Sequence, residues 1–534
     1  MEGCYNYYYL EHWRTFFYDS GYVRETLSDI GGGAALCADF LTQFFITPWL
    51  GCLVYVLLLT FIVWQTGKLL RSISGTHILL PLACLPAVAL TILSFNVNYL
   101  NAGTVAMAMA LPLANLQRKN GIKVRLAVAL VGTLILYLVA GPVAMLFSVI
   151  CLLSEIAVSP KSSWIFVSAP LMALLLGWSS LLAGWTPELK YALTPHGYFN
   201  LRLQAGSIVW LPWMLTLAAV AVACLWRLTG LEHKIVKWSV LGLSTVGLVA
   251  FTVIAPLKYI DTTQEQFKRL SSLAYREDWD AVSDVCASLP LKNFIHQNYL
   301  NLALAERGIL GDCLFRYPNY DIMSIYVQGS KNPHIYALLS DVYWSMGHIA
   351  LAQRYAFEAN ESLGGYSPRL LKRLVQTNEA LGYDRVAEKY RRLLKKTLFY
   401  RQWAADYRTP ELKRKCASIP DKFSGLGGLD IDLAEIICAA PEHKATALYL
   451  GSLYLLDRDI TKFMAFLERF YGTEALPEIL PVAFQEAVAL YAAGDSRILE
   501  RFSIQPETVN RLSDYRNNNS SQKESFWYFY INKR

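Results

Sequence analysis

Between Pro48 and Pro256 the sequence contains no aspartate and three glutamates, Glu155, Glu188 and Glu232, against twelve lysines and arginines. So few carboxylates exclude a water-soluble fold for this stretch. Ionisable side chains are also nearly absent inside its apolar runs; Glu155 and His77 lie near run ends. A proton- or ion-coupled transporter places a charge within its spans so that something can titrate or move there. That class is therefore disfavoured. No P-loop, HExxH or GxSxG motif occurs in its required context, which removes support for NTPase, zinc protease and serine hydrolase chemistry. The ten cysteines show no CxxC or Cys/His spacing of the zinc-binding kind, so no thiolate metal site is expected. No basic start with an apolar centre precedes the first 47 residues, so no cleavable signal is read there.

What the stretch does contain is apolar sequence of membrane-spanning length. About 17 to 25 apolar residues cross a bilayer as a helix, because a helix satisfies every backbone polar group inside the lipid. Eight such runs are read: Pro48 to Trp64, Ile78 to Phe95, Ala102 to Leu116, Val124 to Ala140, Pro142 to Val158, Trp164 to Trp185, Ser207 to Trp226 and Trp238 to Pro256. The loops between them alternate in charge. Lys68 and Arg71, then Arg118, Lys119, Lys123 and Arg125, then Lys161, then Arg227, Lys234 and Lys237 mark every second loop. Between these, Asn96 to Asn101 and the Gly141–Pro142 turn are uncharged. Lysine and arginine are retained on the cytoplasmic side. This predicts that residues 1–47 and 257–534 both face out, in a multi-pass protein of the inner (plasma) membrane with an extracytoplasmic C-terminal domain.

The net charge of +7 follows from this sorting: residues 1–47 carry −4, 48–256 carry +9 and 257–534 carry +2. The excess is topogenic and gives no support to nucleic-acid binding. With 54% hydrophobic residues and a mean hydropathy of +0.29, an all-α, polytopic membrane protein with a sizeable soluble part is expected.

Residues 1–47 are polar, aromatic and acidic, and their abrupt aromatic start predicts either insertion with the N-terminus out or a further helix upstream. Glu11, Asp19, Glu25, Asp29 and Asp39 lie among Trp13, Phe16, Phe17, Tyr18 and Tyr22, a composition suited to the headgroup level. The segment reads as interfacial helices on the outer face, broken at Gly31 to Gly33. The longest outer loop, Thr186 to Gly206, collects Lys190, His196 and Arg202 beside Tyr191 and Tyr198. Fixed cationic donors near the headgroup plane suit a lipid phosphate or diphosphate.

After Pro256 hydropathy falls and amphipathic helical patterns take over. Helix-turn-helix units centre on Asp278, Gly311, Gly347, Gly382 and Asp457, with steps of 33, 36, 35 and 75 residues. The period matches the roughly 34-residue tetratricopeptide unit. Ala352, Tyr355 and Ala359 of one unit correspond to Ala387, Tyr390 and Leu393 or Leu394 of the next. The domains expected are an outer interfacial segment at 1–47, a transmembrane helical domain at 48–256 and a tetratricopeptide-like repeat domain at 257–534. The repeats would offer a concave surface to a protein partner. The aromatic tail SFWYFYINKR is expected to fold back onto the repeats or the membrane face.

Carboxylates in the first outer segment, a cationic loop between later spans and a large outer domain together resemble the GT-C glycosyltransferases, which take sugars from polyprenyl-phosphate carriers. That resemblance implies Glu11 and Asp19 of EHWRTFFYD as the acidic pair, with Asp29 in reserve, acting as general base on an acceptor hydroxyl or helping to hold a divalent ion. It further implies His196 and Arg202, with Lys190, as anchors for the carrier phosphate. Through FLTQFFITPWLG the chain also resembles, over its whole length, an uncharacterised bacterial family of multi-pass membrane proteins ending in helical repeats. The functions expected are a lipid-linked sugar transferase of the cell envelope or, alternatively, a non-catalytic scaffold whose repeats recruit a partner. A flippase or exporter without titratable coupling is a third. No cofactor follows from the sequence.

Overall fold

The computed structural model of the chain describes residues 4–118, 121–200, 203, 205–230, 233–319, 321–327, 332–418, 428–517 and 522–532. Among these the secondary structure is helical, with one isolated antiparallel bridge between Tyr99 and Phe199. The chain forms two compact units: Met1–Lys268 with Lys396–Phe399, and Arg269–Lys395 with Tyr400–Arg534.

In the first unit α1 (Cys4–Trp13), α2 (Ser20–Ser28) and α3 (Gly32–Thr42) precede α4 (Pro48–Ser74), α5 (Leu80–Ser94), α6 (Ala102–Gln117), α7 (Ile122–Ala140) and α8 (Val143–Val158). Then come α9 (Ser168–Leu182), α10 (Leu189–Leu193), α11 (Leu211–Thr229) and α12 (Lys234–Tyr259). Five segments are long and apolar enough to cross a membrane: Pro48–Ser74, Ile122–Ala140, Pro160–Leu182, Ser207–Thr229 and Lys234–Tyr259. The remaining three runs form α5, α6 and α8, of 15, 16 and 16 residues. At 1.5 Å per residue they reach about 23 to 24 Å, short of the ~30 Å hydrocarbon core.

The weakest of the three in hydropathy is the best buried. Helix α6 packs against α3, α4, α7 and α8, and Gly103 through Ala108, with Ala110, Leu111, Ala114, Asn115 and Gln117, is withdrawn from solvent. Its glycine, alanines and threonine let neighbouring backbones approach, as small residues do between membrane helices. Its amide donors bond to neighbouring helices: Asn115 Nδ2 donates to Gln65 Oε1 and to the Gln65 carbonyl, both at 2.9 Å. A helix enclosed by protein needs no lipid-facing stripe.

The loops sort by charge at the two ends of this bundle. At one end buried Glu155 receives Gln117 Nε2 at 3.0 Å, with Arg118 at 3.5 Å and Arg125 at 3.1 Å. Arg125 also reaches Ser159, and Arg227 donates to the Ile73 carbonyl at 3.0 Å. At the other end Tyr198 Oη donates to the Ala140 carbonyl at 2.5 Å and accepts from Val143 N–H at 3.0 Å. Leu100 N–H donates to the Tyr198 carbonyl, and Asn101 to Thr42 Oγ1. The chain past α12 returns to this second end, where Lys268 Nζ donates to Asn6 Oδ1 and the Phe95 carbonyl.

The glycine run acts differently from a simple break. Only Gly31 is left-handed, at φ +82, and α3 begins immediately at Gly32. A Cβ on Gly32 would lie 1.8 Å from the Thr26 carbonyl oxygen, and one on Gly33 2.5 Å from Val139. These two glycines are contact surfaces, where α3 closes on α2 and α7.

Helix α13 (Thr262–Tyr275) contains the boundary between the units, at Lys268, and the second unit continues through α14 (Trp279–Ala287), α15 (Phe294–Glu306), α16 (Leu310–Cys313), α17 (Pro333–Met346), α18 (Ile349–Ser362), α19 (Pro368–Ala380) and α20 (Asp384–Lys395). It ends with α21 (Arg401–Asp406), α22 (Glu411–Ala417), α23 (Leu429–Ala439), α24 (Lys444–Leu456), α25 (Ile460–Phe470), α26 (Val482–Ala492), α27 (Ser496–Arg501), α28 (Pro506–Asn517) and α29 (Phe526–Asn532). Asp278, Asn293, Asn332, Ser367, Asp459 and Asp495 cap their helices by accepting a first-turn N–H, which satisfies donors the helix itself cannot. Helices α17 to α20 pack each on the next. Phe526, Trp527 and Phe529 of the tail are buried, and α29 packs on α26 through Phe526 N–H, which donates to Glu486 at 2.7 Å. The described cysteines are free thiols.

Candidate functional site

The residues singled out in the first unit have separate surroundings. Glu11 is wholly buried on α1, whose neighbours are α4 and the 3-10 turn Gln43–Ile46. Asp19 precedes α2 and accepts from Lys396 Nζ at 2.6 Å, a bond that holds its carboxyl below the usual range. Asp29 is exposed at the end of α2. Lys190 is exposed and pairs with Glu188 at 2.8 Å, which raises its ammonium. His196 Nδ1 lies 2.9 Å from Thr194 Oγ1, and its ring meets Trp210 edge-on at 5.8 Å. Burial, then Lys190, lowers the imidazole. Arg202 lies outside the described residues. The fold thus gathers Lys190 and His196 in one loop and engages Asp19 with Lys396. A tighter carboxylate network in the same segment is one the sequence reading did not single out: buried Asp39 accepts from Tyr22 Oη at 2.6 Å and Arg14 Nε at 2.9 Å.

The most elaborate polar constellation lies within the second unit, around a cavity of about 360 Å³. Three helices present one face each to it. From α15 come Leu302 and Glu306, from α17 Ser340, Asp341 and Trp344, and from α19 Arg369, Lys372, Arg373 and Gln376. Those spacings of three and four residues place side chains on a single helix face. On the other side of α19, Leu371, Leu374 and Val375 are buried, so packing of these apolar residues fixes which way its cations turn. Tyr275, Glu277, Tyr407 and Lys413 complete the lining.

Asp341 is shared by two guanidiniums. Arg369 Nη2 lies 2.6 Å from Oδ2, and Arg373 Nη2 2.8 Å from Oδ1. Burial by itself would raise this carboxyl, but Arg369 and Arg373 outweigh it and hold it below the ordinary range. Arg369 spends a second donor on Ser271 Oγ at 2.7 Å. Lys413 Nζ donates to the Trp344 carbonyl at 2.6 Å and to His443 Nε2 at 2.8 Å. For Nε2 to accept, the His443 proton sits on Nδ1, which faces Thr446 Oγ1 at 2.7 Å; that hydroxyl in turn donates to the Met346 carbonyl. Burial lowers Lys413 to about 8 and His443 to about 3, Lys413 adding to the latter. Among the described residues there is no group of three His, Cys, Asp or Glu side chains placed to hold a metal.

A protein-family model matches residues 1–533. The chain belongs to the family of unknown function DUF6057. Neither the curated proteins nor the solved structures gave a match. For this DUF6057 member the arrangement of side chains is therefore the ground for any reading of what it does. Chemically, the second-unit cavity offers charged donors held on helices. The basic face of α19 was visible in the sequence as Arg369, Lys372 and Arg373. Its partners Asp341 and Lys413 come from distant segments and carried no local signal.

Proposed function

We propose that this DUF6057 member is a multi-pass protein of the bacterial inner membrane that works by binding, with tetratricopeptide-like repeats on the extracytoplasmic side holding a protein partner. The observation that carries this reading is the second-unit cavity, in which three helix faces converge on a space lined by four cations. Stacked helix pairs, with turns at Asp278, Gly347, Gly382 and Asp457, are the architecture that offers such concave surfaces. An eight-crossing layout is supported by the sorting of the loops. Helices α5, α6 and α8 each run between the end that gathers Arg118, Arg125 and Arg227 and the end that holds Tyr198, and the chain past α12 returns to the latter. By the retention of positive charge in the cytoplasm, the end without the arginine cluster faces out.

A second reading, a GT-C-like transferase drawing on a polyprenyl-phosphate-linked sugar, is favoured by one feature. Glu11 is 1% exposed in the segment where that fold places its catalytic acid, and burying a carboxylate is costly enough to need a reason. Lys190, His196 and Arg202 would then anchor the carrier phosphate.

Complementation of a deletion strain separates the two. For the binding protein, Lys372→Glu in the cavity abolishes rescue while Glu11→Gln and Asp19→Asn restore it, all at equal membrane levels. The reverse pattern overturns the binding reading in favour of the transferase. Labelling of single cysteines introduced in α18 by a membrane-impermeant reagent tests the orientation; protection in intact cells would refute it.

A further inference from the structure

We propose that the cavity bounded by α15, α17 and α19 binds a singly charged oxyanion, a carboxylate or a phosphodiester, as the recognition element of its ligand. This rests on the reading of the second unit as a binding domain and names the chemistry of its occupant.

The donors are the first ground. Arg373 gives Nη2 to Asp341, but its Nη1 is fully withdrawn from solvent and has no partner among the described residues. Lys413 carries three N–H bonds, of which the Trp344 carbonyl and His443 account for two. Lys372 has no carboxylate within ion-pairing reach among the described residues, and its Nζ stands 4.8 Å from the Tyr275 ring and 4.7 Å from that of Trp403. Three cations that line one space thus retain donor capacity, and an oxyanion is the acceptor that satisfies several at once.

The aromatic rings supply the second. Trp344 is covered by Arg373 at 4.7 Å and Lys413 at 5.2 Å, and Tyr275 by Arg369 at 5.3 Å together with Lys372. These faces serve to steady the cations, and a flat sugar or base would have to displace them to stack. Charge decides the valence. The lining carries Arg369, Lys372, Arg373 and Lys413 against Asp341, Glu277 and Glu306, net +1. One negative charge is matched, and a second would meet three carboxylates. A space of about 360 Å³ admits a side chain or a small headgroup but no folded domain.

Lys413 also gives the site a proton signature. The groups that face it are Glu306, Glu277, Cys416, Arg373 and His443. With its ammonium lowered by burial to about 8, a neighbouring anion favours the protonated form, so binding takes up protons and weakens as pH rises above about 8.

The test uses the full-length protein in detergent, titrated with sodium acetate, sodium dimethyl phosphate and the neutral isostere acetamide at constant ionic strength set with sodium chloride, and followed by saturation-transfer NMR. Acetate or dimethyl phosphate is expected to bind, acetamide is not, and affinity is expected to fall at pH 9 relative to pH 7. Acetate alone marks a carboxylate ligand and dimethyl phosphate alone a phosphodiester; both together mark the shared chemistry. Lys413→Gln is expected to weaken binding about tenfold or more, the worth of a charged hydrogen bond. Lys372→Gln serves if Lys413→Gln does not fold, and Arg354→Gln, whose side chain is outside this lining, is expected to bind as wild type. Equal binding of acetamide, or binding unchanged in the folded cavity variants, overturns the proposal. No anion bound while Lys372→Glu still abolishes complementation would sink the ligand chemistry and leave the binding domain standing. Anion bound while Lys372→Glu complements fully would do the opposite.

Discussion

Replacing Asp341 by asparagine leaves the shape of α17 nearly unchanged and removes the carboxylate that Arg369 and Arg373 share. Arg369 is 3% exposed and Arg373 16%, so neither charge can turn fully to water. Removing one partner of a buried ion pair costs about 3 to 5 kcal/mol, because the remaining charge stays buried. Here Arg369 keeps Ser271 Oγ, and Arg373 is the more exposed of the two, which places the expectation at the lower figure, about 3 kcal/mol. Hydrogen exchange read by mass spectrometry on α17 and α19 reports local opening in that range, and ~3 kcal/mol corresponds to roughly a hundredfold loss of protection. Exchange in α4 and α7 of the first unit serves as the internal control. The double variant Asp341→Asn, Arg369→Met should recover most of the loss, since an apolar side chain replaces the stranded charge. Because the single variant also takes the lining from +1 to +2, added acetate should restore part of its protection. Less than a threefold change, or a double variant as labile as the single, would refute the claim that Asp341 neutralises a buried cation pair.

Acid should loosen the second unit: His334 and His443 are held to about 3 by burial, against an ordinary value of 6.5. The unfolded chain therefore binds more protons between those values, and stability is lost as pH falls from 6.5 towards 3, by up to about 1.4 kcal/mol per pH unit per histidine; flat exchange protection from pH 6.5 to 4 would contradict this. Gly141→Ala places a side chain where φ is +78 and ψ −135, with its Cβ 3.5 Å from the Gly31 Cα, so a cost of about 1 to 3 kcal/mol is expected. Heat stability in detergent equal to wild type would count against it. Trp527 is fully buried, and Trp527→Ala should cost about 3 to 5 kcal/mol and expose α29 to limited proteolysis; an unchanged digestion pattern would show that the tail does not depend on it.

The apolar runs were readable because lipid imposes a composition on what it touches. That signal weakens where helices touch one another: α6, lined with alanine and with polar residues that donate to its neighbours, falls short of the length and hydropathy of a free-standing span. The glycine run at 31–33 was legible as a special place and not as what it is, since only the closure of α3 on α2 and α7 shows that two of the three serve contact. In the second unit, Gly347 and Gly382 marked turns and Asp and Asn marked caps, whereas Gly311, expected at a turn, lies inside α16. The cavity was not, because Asp341, Arg369, Arg373 and Lys413 are separated by up to 72 residues and only packing brings them together.

Residue order alone specifies apolar helices of membrane-spanning length, loops that alternate in charge, and amphipathic helical sequence after them. These are consequences of solvent preference, which each residue carries locally. Tertiary structure decided which carboxylates are paired, which cations keep donors to spare and where a space remains between helices. Pairing and enclosure depend on neighbours distant in the chain, and no local composition encodes them.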